Sequence, residues 1–160
     1  MNNPILSKPF GSLLASAVIF SLLIALSLAQ DLYLCTKVTD GDTIVLRING
    51  RKERVRLIGV DTPETVHPTK QVEYFGKEAS NFSRKMVEGK MVHLEYDWQR
   101  KDRYGRLLAY VYLEDGTFIN AEIIKQGFGY AYTKHPFRYL KEFRSYEKQA
   151  REGKRGLWKR

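Results

Sequence analysis

The stretch Thr43-Ile44-Val45-Leu46-Arg47-Ile48-Asn49-Gly50-Arg51-Lys52-Glu53-Arg54-Val55-Arg56-Leu57-Ile58-Gly59-Val60 decides the fold class. Both of its arms are rich in β-branched and apolar residues. Asn49-Gly50 between them is a strong two-residue hairpin signal, because both positions tolerate positive φ. Strands are therefore expected at 43–48 and 52–60, and the similar run at 33–38 adds a third ahead of them. An antiparallel meander opens the domain.

Downstream the period changes. Residues 65–71, with His67 and Pro68, read as a loop leading into a helix whose apolar positions Val72, Phe75, Ala79, Phe82 and Met86 recur at steps of three and four. Gly89 is placed to end that helix. Residues 91–96 put Val92, Leu94 and Tyr96 on one face, and 106–113 put Leu107, Ala109, Val111 and Leu113 on one side. These are a fourth and a fifth strand, joined by the polar stretch 97–105. A short helix over 118–126 stops at Gly127, and a longer charged one over 137–152 offers Leu140, Phe143 and Ala150 for docking. Leu157 and Trp158 are expected to pin the tail. Three strands, a helix, two strands and two helices predict an α+β, mainly β fold: a small barrel with helices packed around it, for which the OB-fold is the commonest architecture in nucleic-acid binders.

The chain of 160 residues suits one domain with a single core. Its 27 Lys and Arg against 18 Asp and Glu give a formal net charge of +9, which favours a polyanionic partner, nucleic acid above an anionic membrane surface. Residues 10–29 carry no charge and are mostly apolar, with Lys8 the only charged side chain ahead of them. Ser27-Leu28-Ala29 resembles a signal-peptidase site cut before Gln30. The reading is a leader over 1–29 and a folded domain over 30–160, secreted or periplasmic after cleavage. The run is also long enough to span a bilayer, so the alternative is an uncleaved anchor that associates with the membrane through 10–29 and holds the domain outside the cytoplasm. Cys35 is the only cysteine, which excludes an internal disulfide.

Three short blocks carry the chemistry. Asp40-Gly41-Asp42-Thr43 and Asp61 supply carboxylates, and Asp42 and Asp61 are the candidates to hold a hard divalent cation such as Ca²⁺, which prefers oxygen ligands. Thr62 precedes Pro63, which pushes it to extended geometry and aims its carbonyl as a further ligand. Glu64 follows at the mouth of the loop as the group to accept a proton from water. Zinc finds no ligand set, since His67, His93 and His135 are scattered and the cysteine is alone. Arg56 and Arg106 are two fork-shaped cations suited to a phosphate and to the extra charge of its transition state. Strict alternation puts Arg56 and Asp61 on opposite faces of a strand, so a shared site requires a twist or bulge, easiest at Gly59. Tyr104, Tyr130 and Tyr132 are candidates for stacking on bases or contacting phosphates, with Arg103 beside the first.

In order along the chain, Asp40-Gly41-Asp42-Thr43, Arg56 through Glu64, Tyr74-Phe75-Gly76-Lys77-Glu78-Ala79-Ser80, Asp102-Arg103-Tyr104-Gly105-Arg106-Leu107-Leu108-Ala109-Tyr110 and Gly156-Leu157-Trp158 resemble the staphylococcal nuclease (thermonuclease) family. The resemblance implies a five-stranded OB-fold barrel with three helices. It further implies Ca²⁺-dependent hydrolysis of DNA and RNA, with little sequence preference, between phosphorus and the 5′ oxygen to leave 3′-phosphate ends. Carried over, Asp42, Asp61 and the Thr62 carbonyl would bind Ca²⁺, Arg56 and Arg106 would hold the phosphate, Glu64 would be the general base, and Arg103 and Tyr104 would contact a neighbouring phosphate. Between Gly127 and Phe137 the chain departs from the family's best-known member. An ungapped match sets Thr133 and His135 where nucleotide-contacting tyrosines stand, and a shift of two residues sets Tyr130 and Tyr132 there instead.

The expectation is an exported, Ca²⁺-dependent, sugar-nonspecific endonuclease, a hydrolase acting on DNA and RNA, with no protein partner implied and nothing that demands more than a monomer. Its rivals are a noncatalytic OB-fold nucleic-acid-binding module, which leaves the carboxylate set without purpose, and a membrane-anchored basic adaptor, which does the same.

Overall fold

The computed structural model of the chain describes residues 31–65 and 73–159. The chain divides into two units, Met1–Asp31 and Leu32–Arg160. The leader or anchor expected over 1–29 lies outside the described residues, as do His67, Pro68 and Val72. Among the described residues no helix is long and apolar enough to cross a membrane.

In chain order the second unit contains β1 (Tyr33–Asp40), β2 (Thr43–Ile48), β3 (Arg51–Leu57), β4 (Val60–Asp61), α1 (Gly76–Val87), β5 (Met91–Glu95), β6 (Leu107–Leu113), α2 (Ile119–Lys125), β7 (Tyr130–Ala131), α3 (Leu140–Glu152) and a 3₁₀ turn, Gly156–Trp158. Five strands close into a barrel in the order β1-β2-β3-β6-β5, the mainly β, OB-type architecture expected. The Asn49-Gly50 turn has φ of 50° and 77°, the left-handed pair a tight hairpin needs, and it sets Ile48 opposite Arg51. β3 runs parallel to β6, and β1 closes the barrel against β5. Register shifts in β1 after Cys35 and Val38 coil that strand around the barrel.

Alternation along these strands turns Val38, Ile44, Leu46, Val55, Leu57, Val92 and Val111 inward, where all are buried. Ile119 and Ile123 of α2 and Phe143 of α3 complete the same core, each such side chain stabilising the fold by roughly 1.5–3 kcal/mol relative to exposure. Cys35 is part of it, and burial pushes its thiol up to about 11, so it is unreactive.

Four elements differ from expectation. The first helix, expected to include Phe75, starts at Gly76, because Phe75 takes the left-handed conformation at φ 66° and stands outside it. The single strand expected over 52–60 breaks after Leu57, because Gly59 takes φ +73° and the chain turns there. Beyond the break, Val60 and Asp61 pair with Ala131 and Tyr130 in a ribbon of β4 and β7 too short to show a period. The last helix starts at Leu140 rather than 137, since Phe137 and Tyr139 instead turn their rings onto Phe143, 5.3 Å and 6.3 Å from it.

Asn120 holds the break in place. Its buried side chain accepts the Val111 N–H at 2.9 Å and donates to the carbonyls of Ile58 at 2.9 Å and Ala109 at 3.2 Å, joining α2, β6 and the end of β3. The Ala109 carbonyl also receives the Ile58 N–H; the Val111 N–H and the Ile58 carbonyl depend on Asn120. Asn120→Ala leaves both without that partner and is expected to lower the unfolding free energy by about 3 kcal/mol in urea titration, with an unchanged m-value.

Candidate functional site

The site is built at the end of the barrel where β2 starts and β3 stops. The Leu57 N–H donates to the Asp42 carbonyl at 2.9 Å, and Thr43 faces Arg56 across the pair of strands. Asp42 is buried to 1% exposure. Its carboxylate forms a close ion pair with Arg56 Nη1, accepts the Thr43 hydroxyl at 3.1 Å, and accepts the Thr62 N–H at 3.0 Å. The other amino group of Arg56 donates to Asp61 at 3.0 Å and to the Val60 carbonyl at 3.3 Å. The turn at Gly59 thus brings Arg56 and Asp61 together despite strand alternation. One guanidinium fork bridges two carboxylates from separate turns.

Packing fixes this geometry from behind. Gly41 lies so close to Thr62 that a Cβ there would stand 2.7 Å from its hydroxyl, and the Gly41 carbonyl accepts the Ser83 hydroxyl of α1 at 2.5 Å. The α1 N-terminus at Gly76 sits against the backbone of Pro63 and Glu64, with room for no side chain. Pairing of β4 with β7 orients Asp61. Glu64 and Glu73 then exchange backbone contacts: the Glu64 N–H donates to a Glu73 carboxylate oxygen at 3.1 Å, and the Glu73 N–H to the Glu64 carbonyl at 2.9 Å.

The electrostatics are dominated by crowded acid groups. Burial pushes the Asp42 carboxyl upward, Arg56 is the strongest opposing influence, and Asp61 adds to the upward push. Burial likewise pushes Asp40 up to about 6; the Thr65 hydroxyl, 2.7 Å away, favours its charged form, whereas a hydrogen bond shared with Glu64 works against it. Asp40 thus belongs to the acidic group of the site, although an Asp-Gly pair in a sequence signals a turn before it signals chemistry.

The second arginine rests on a turn. Asp102-Arg103-Tyr104-Gly105-Arg106 is a tight loop closed by a bridge between Lys101 and Leu107, with Gly105 at φ +76°. One Asp102 oxygen accepts the N–H groups of Tyr104 at 2.9 Å and Arg106 at 3.0 Å, and the other accepts Arg106 Nε at 2.6 Å. That aspartate is the hub of the loop, legible only as a turn former from its place ahead of Gly105. Arg103 donates to the Tyr104 hydroxyl at 2.6 Å, and Arg103 and Arg106 both lie over the Tyr104 ring.

A cleft of about 770 Å³ gathers Arg56, Asp61, Glu64, Arg106, Arg103 and Tyr104 in one place. Asp42 and Thr62 are buried and join it through Arg56. Tyr132 and His135 also line it, and the Tyr132 N–H is tied to the Gly59 carbonyl at 2.9 Å. Tyr130 goes elsewhere: its ring meets Trp158 edge-on at 5.4 Å, and Arg151 covers that indole at 4.1 Å. Thr133 is half-buried. Among the described residues no group of three or more His, Cys, Asp or Glu side chains is assembled for a metal.

Asp102 yields a pH-dependent test. Burial alone would raise its carboxyl, but hydrogen bonds from the Arg106 side chain and the Arg106 and Tyr104 backbones hold it below the ordinary value of 3.8. A carboxyl depressed on folding stabilises the fold above that value, and the contribution fades as pH falls through the folded-state value. Asp102→Asn is expected to lower stability by about 2 kcal/mol at neutral pH, with the gap to the parent narrowing below 3.8 in urea titrations across pH.

A family model described as "Staphylococcal nuclease homologue" matches residues 54–160. The thermonuclease of Staphylococcus hyicus is 42% identical over 130 residues, covering 81% of this chain and 76% of that protein. The thermonuclease of Staphylococcus intermedius is 47% identical over 131 residues, 80% and 76% of the two chains. Endonuclease YncB of Bacillus subtilis is 41% identical over 122 residues, 74% of this chain and 57% of that one. With the closed five-stranded barrel, these matches make the kinship that the motifs suggested a finding: the chain belongs to the staphylococcal nuclease family.

Proposed function

We propose that the protein is an exported, calcium-dependent endonuclease that hydrolyses phosphodiester bonds of DNA and RNA, with little regard to the sugar, and leaves 3′-phosphate ends. The observation that carries this reading is the meeting of Arg56, Arg106, Glu64 and Asp61 in one cleft, with Asp42 paired to the same guanidinium as Asp61. The names of the relatives, thermonucleases and an endonuclease, support it. So does the net charge of +9, which attracts a polyanion.

The donor set fits a hard cation. Asp42, Asp61 and the Thr62 carbonyl offer only oxygen, as Ca²⁺ prefers. Asp61 and Asp42 repel one another, and the Thr62 hydroxyl, packed against Gly41, is buried without a hydrogen-bond partner. Calcium bound there would supply fixed positive charge against which negative charge on the phosphate can grow.

The remaining work belongs to side chains. Asp102 engages Nε of Arg106, leaving its terminal amino groups for the non-bridging phosphate oxygens, and Arg56, which lines the same cleft, serves the same phosphate. Glu64 takes a proton from water as that water forms its bond to phosphorus. The bond from phosphorus to the 5′ oxygen breaks, and that oxygen leaves and takes up a proton from solvent, while Glu64 returns its own proton to solvent. The products are a 3′-phosphate and a 5′-hydroxyl. Arginine forks stabilise the doubly charged transition state more than the ground state, which is the condition for acceleration.

The purified protein is expected to cut denatured DNA and RNA with Ca²⁺ and to stop on addition of a chelator; digestion that continues in excess chelator would contradict the metal assignment. Glu64→Gln and Arg106→Ala should each lower kcat roughly a hundredfold or more, measured by release of acid-soluble nucleotides, with nucleotide binding largely retained in the first. Export rests on the uncharged run 10–29 and Ser27-Leu28-Ala29. Mass spectrometry of the mature protein should find Gln30 at the N-terminus, whereas an intact Met1 would indicate an anchor.

A further inference from the structure

Trp98 is the most exposed large apolar side chain among the described residues, at 70%. Solvent normally drives an indole into a core or an interface. Here the fold holds it out. The indole N–H donates to the Pro136 carbonyl at 3.3 Å, and the Trp98 backbone N–H donates to Asp97 at 2.8 Å. The other Asp97 oxygen accepts the Tyr110 hydroxyl at 2.5 Å and the Arg138 N–H at 2.8 Å. One carboxylate therefore fastens the Trp98 turn to the barrel through Tyr110 and to the segment that supplies Pro136. Among the described residues no aromatic ring or cation packs on the indole face.

Trp98 also lines the cleft that contains Arg56, Glu64 and Arg106. A rigid, unoccupied aromatic face beside guanidinium groups is the arrangement that binds single-stranded nucleic acid, with cations following the phosphates and rings receiving the bases. An acidic peptide or an anionic lipid could pair with the cleft cations, but neither brings a flat ring to cover the indole face, whereas a nucleotide strand supplies phosphate and base together.

We infer that Trp98 is a stacking platform for an unpaired base of the strand whose phosphate lies between Arg56 and Arg106. This deepens the nuclease reading and rests on its nucleic-acid substrate, not on the cleavage step. Because a base in a duplex already has both faces stacked, the platform favours single-stranded over double-stranded substrate. Its contribution is binding and positioning.

The test uses the full chain and a single-stranded oligothymidylate. In chelator, binding followed by anisotropy of a labelled oligonucleotide should coincide with quenching of tryptophan emission, and Trp98→Phe should lose most of that quenching, leaving the Trp158 background. Trp98→Ala should weaken binding about tenfold, and Trp98→Phe, which keeps a ring, should restore most of it. In cleavage assays with Ca²⁺, Trp98→Ala should raise KM for single-stranded DNA about tenfold with kcat unchanged, and should move KM for duplex DNA much less. Saturating oligonucleotide that leaves wild-type emission unaltered, or an alanine variant with the parent KM on single strands, would overturn the platform while cleavage itself leaves the nuclease reading standing. Quenching by a protein that cuts nothing would do the reverse, supporting the platform and removing the hydrolase.

Discussion

Asp42 is a carboxylate buried at the end of an apolar barrel, and Arg56 is the cation that lets it stay there. An unpaired charge in such a place is costly by several kcal/mol, and removing one partner of a buried pair typically destabilises by about 3–5 kcal/mol. The pair therefore ties the start of β2 to the end of β3 with little freedom of register. Because Arg56 also reaches Asp61, the same fork recruits β4 and, through it, β7. The barrel end and the reactive cleft are one construction. The fold cannot be relaxed there without dispersing the carboxylates, and the carboxylates cannot be removed without exposing a bare guanidinium to its neighbours.

The break at Gly59 is what reconciles this chemistry with strand geometry. A continuous strand would place Arg56 and Asp61 on opposite faces. The left-handed backbone at Gly59 turns the chain, and a Cβ there would stand 2.6 Å from the Phe137 ring, so both conformation and space demand glycine. Asn120 secures the turn by holding the Ile58 carbonyl just ahead of it. A buried amide that satisfies β6 and the β3 end at once gives a unique register in a core otherwise made mostly of apolar groups that carry no such directional preference.

Much of this was legible in the sequence because it is local. Asn49-Gly50 dictates its hairpin by backbone preference alone, and the inward faces of β5 and β6 follow from alternation. The ordered carboxylates and arginines could be nominated by their chemistry, and Gly59 by the mismatch between Arg56 and Asp61. What escaped depends on contacts distant in the chain. The β4–β7 ribbon is two residues long on each side and carries no period. Tyr130 and Tyr132 are indistinguishable as residue types, and only the arrival of Trp158 from the C-terminal turn withdraws the first from the cleft. Asp102 and Asn120 read as ordinary polar residues until their three hydrogen bonds each are seen.

The connectivity has a kinetic side. β1 and β3 each complete their pairing with strands far along the chain, β5 and β6, and the second of these contacts is parallel. Such long loops must close before the contacts that reward them form, and a meander of β1, β2 and β3 without those partners presents two raw edges. Those edges are templates for any other extended segment. The charges along the hairpin, Arg47, Arg51, Lys52 and Arg54, all exposed, repel a second copy of the same meander, so the basic character that suits a polyanion also disfavours edge-to-edge pairing between copies of this chain.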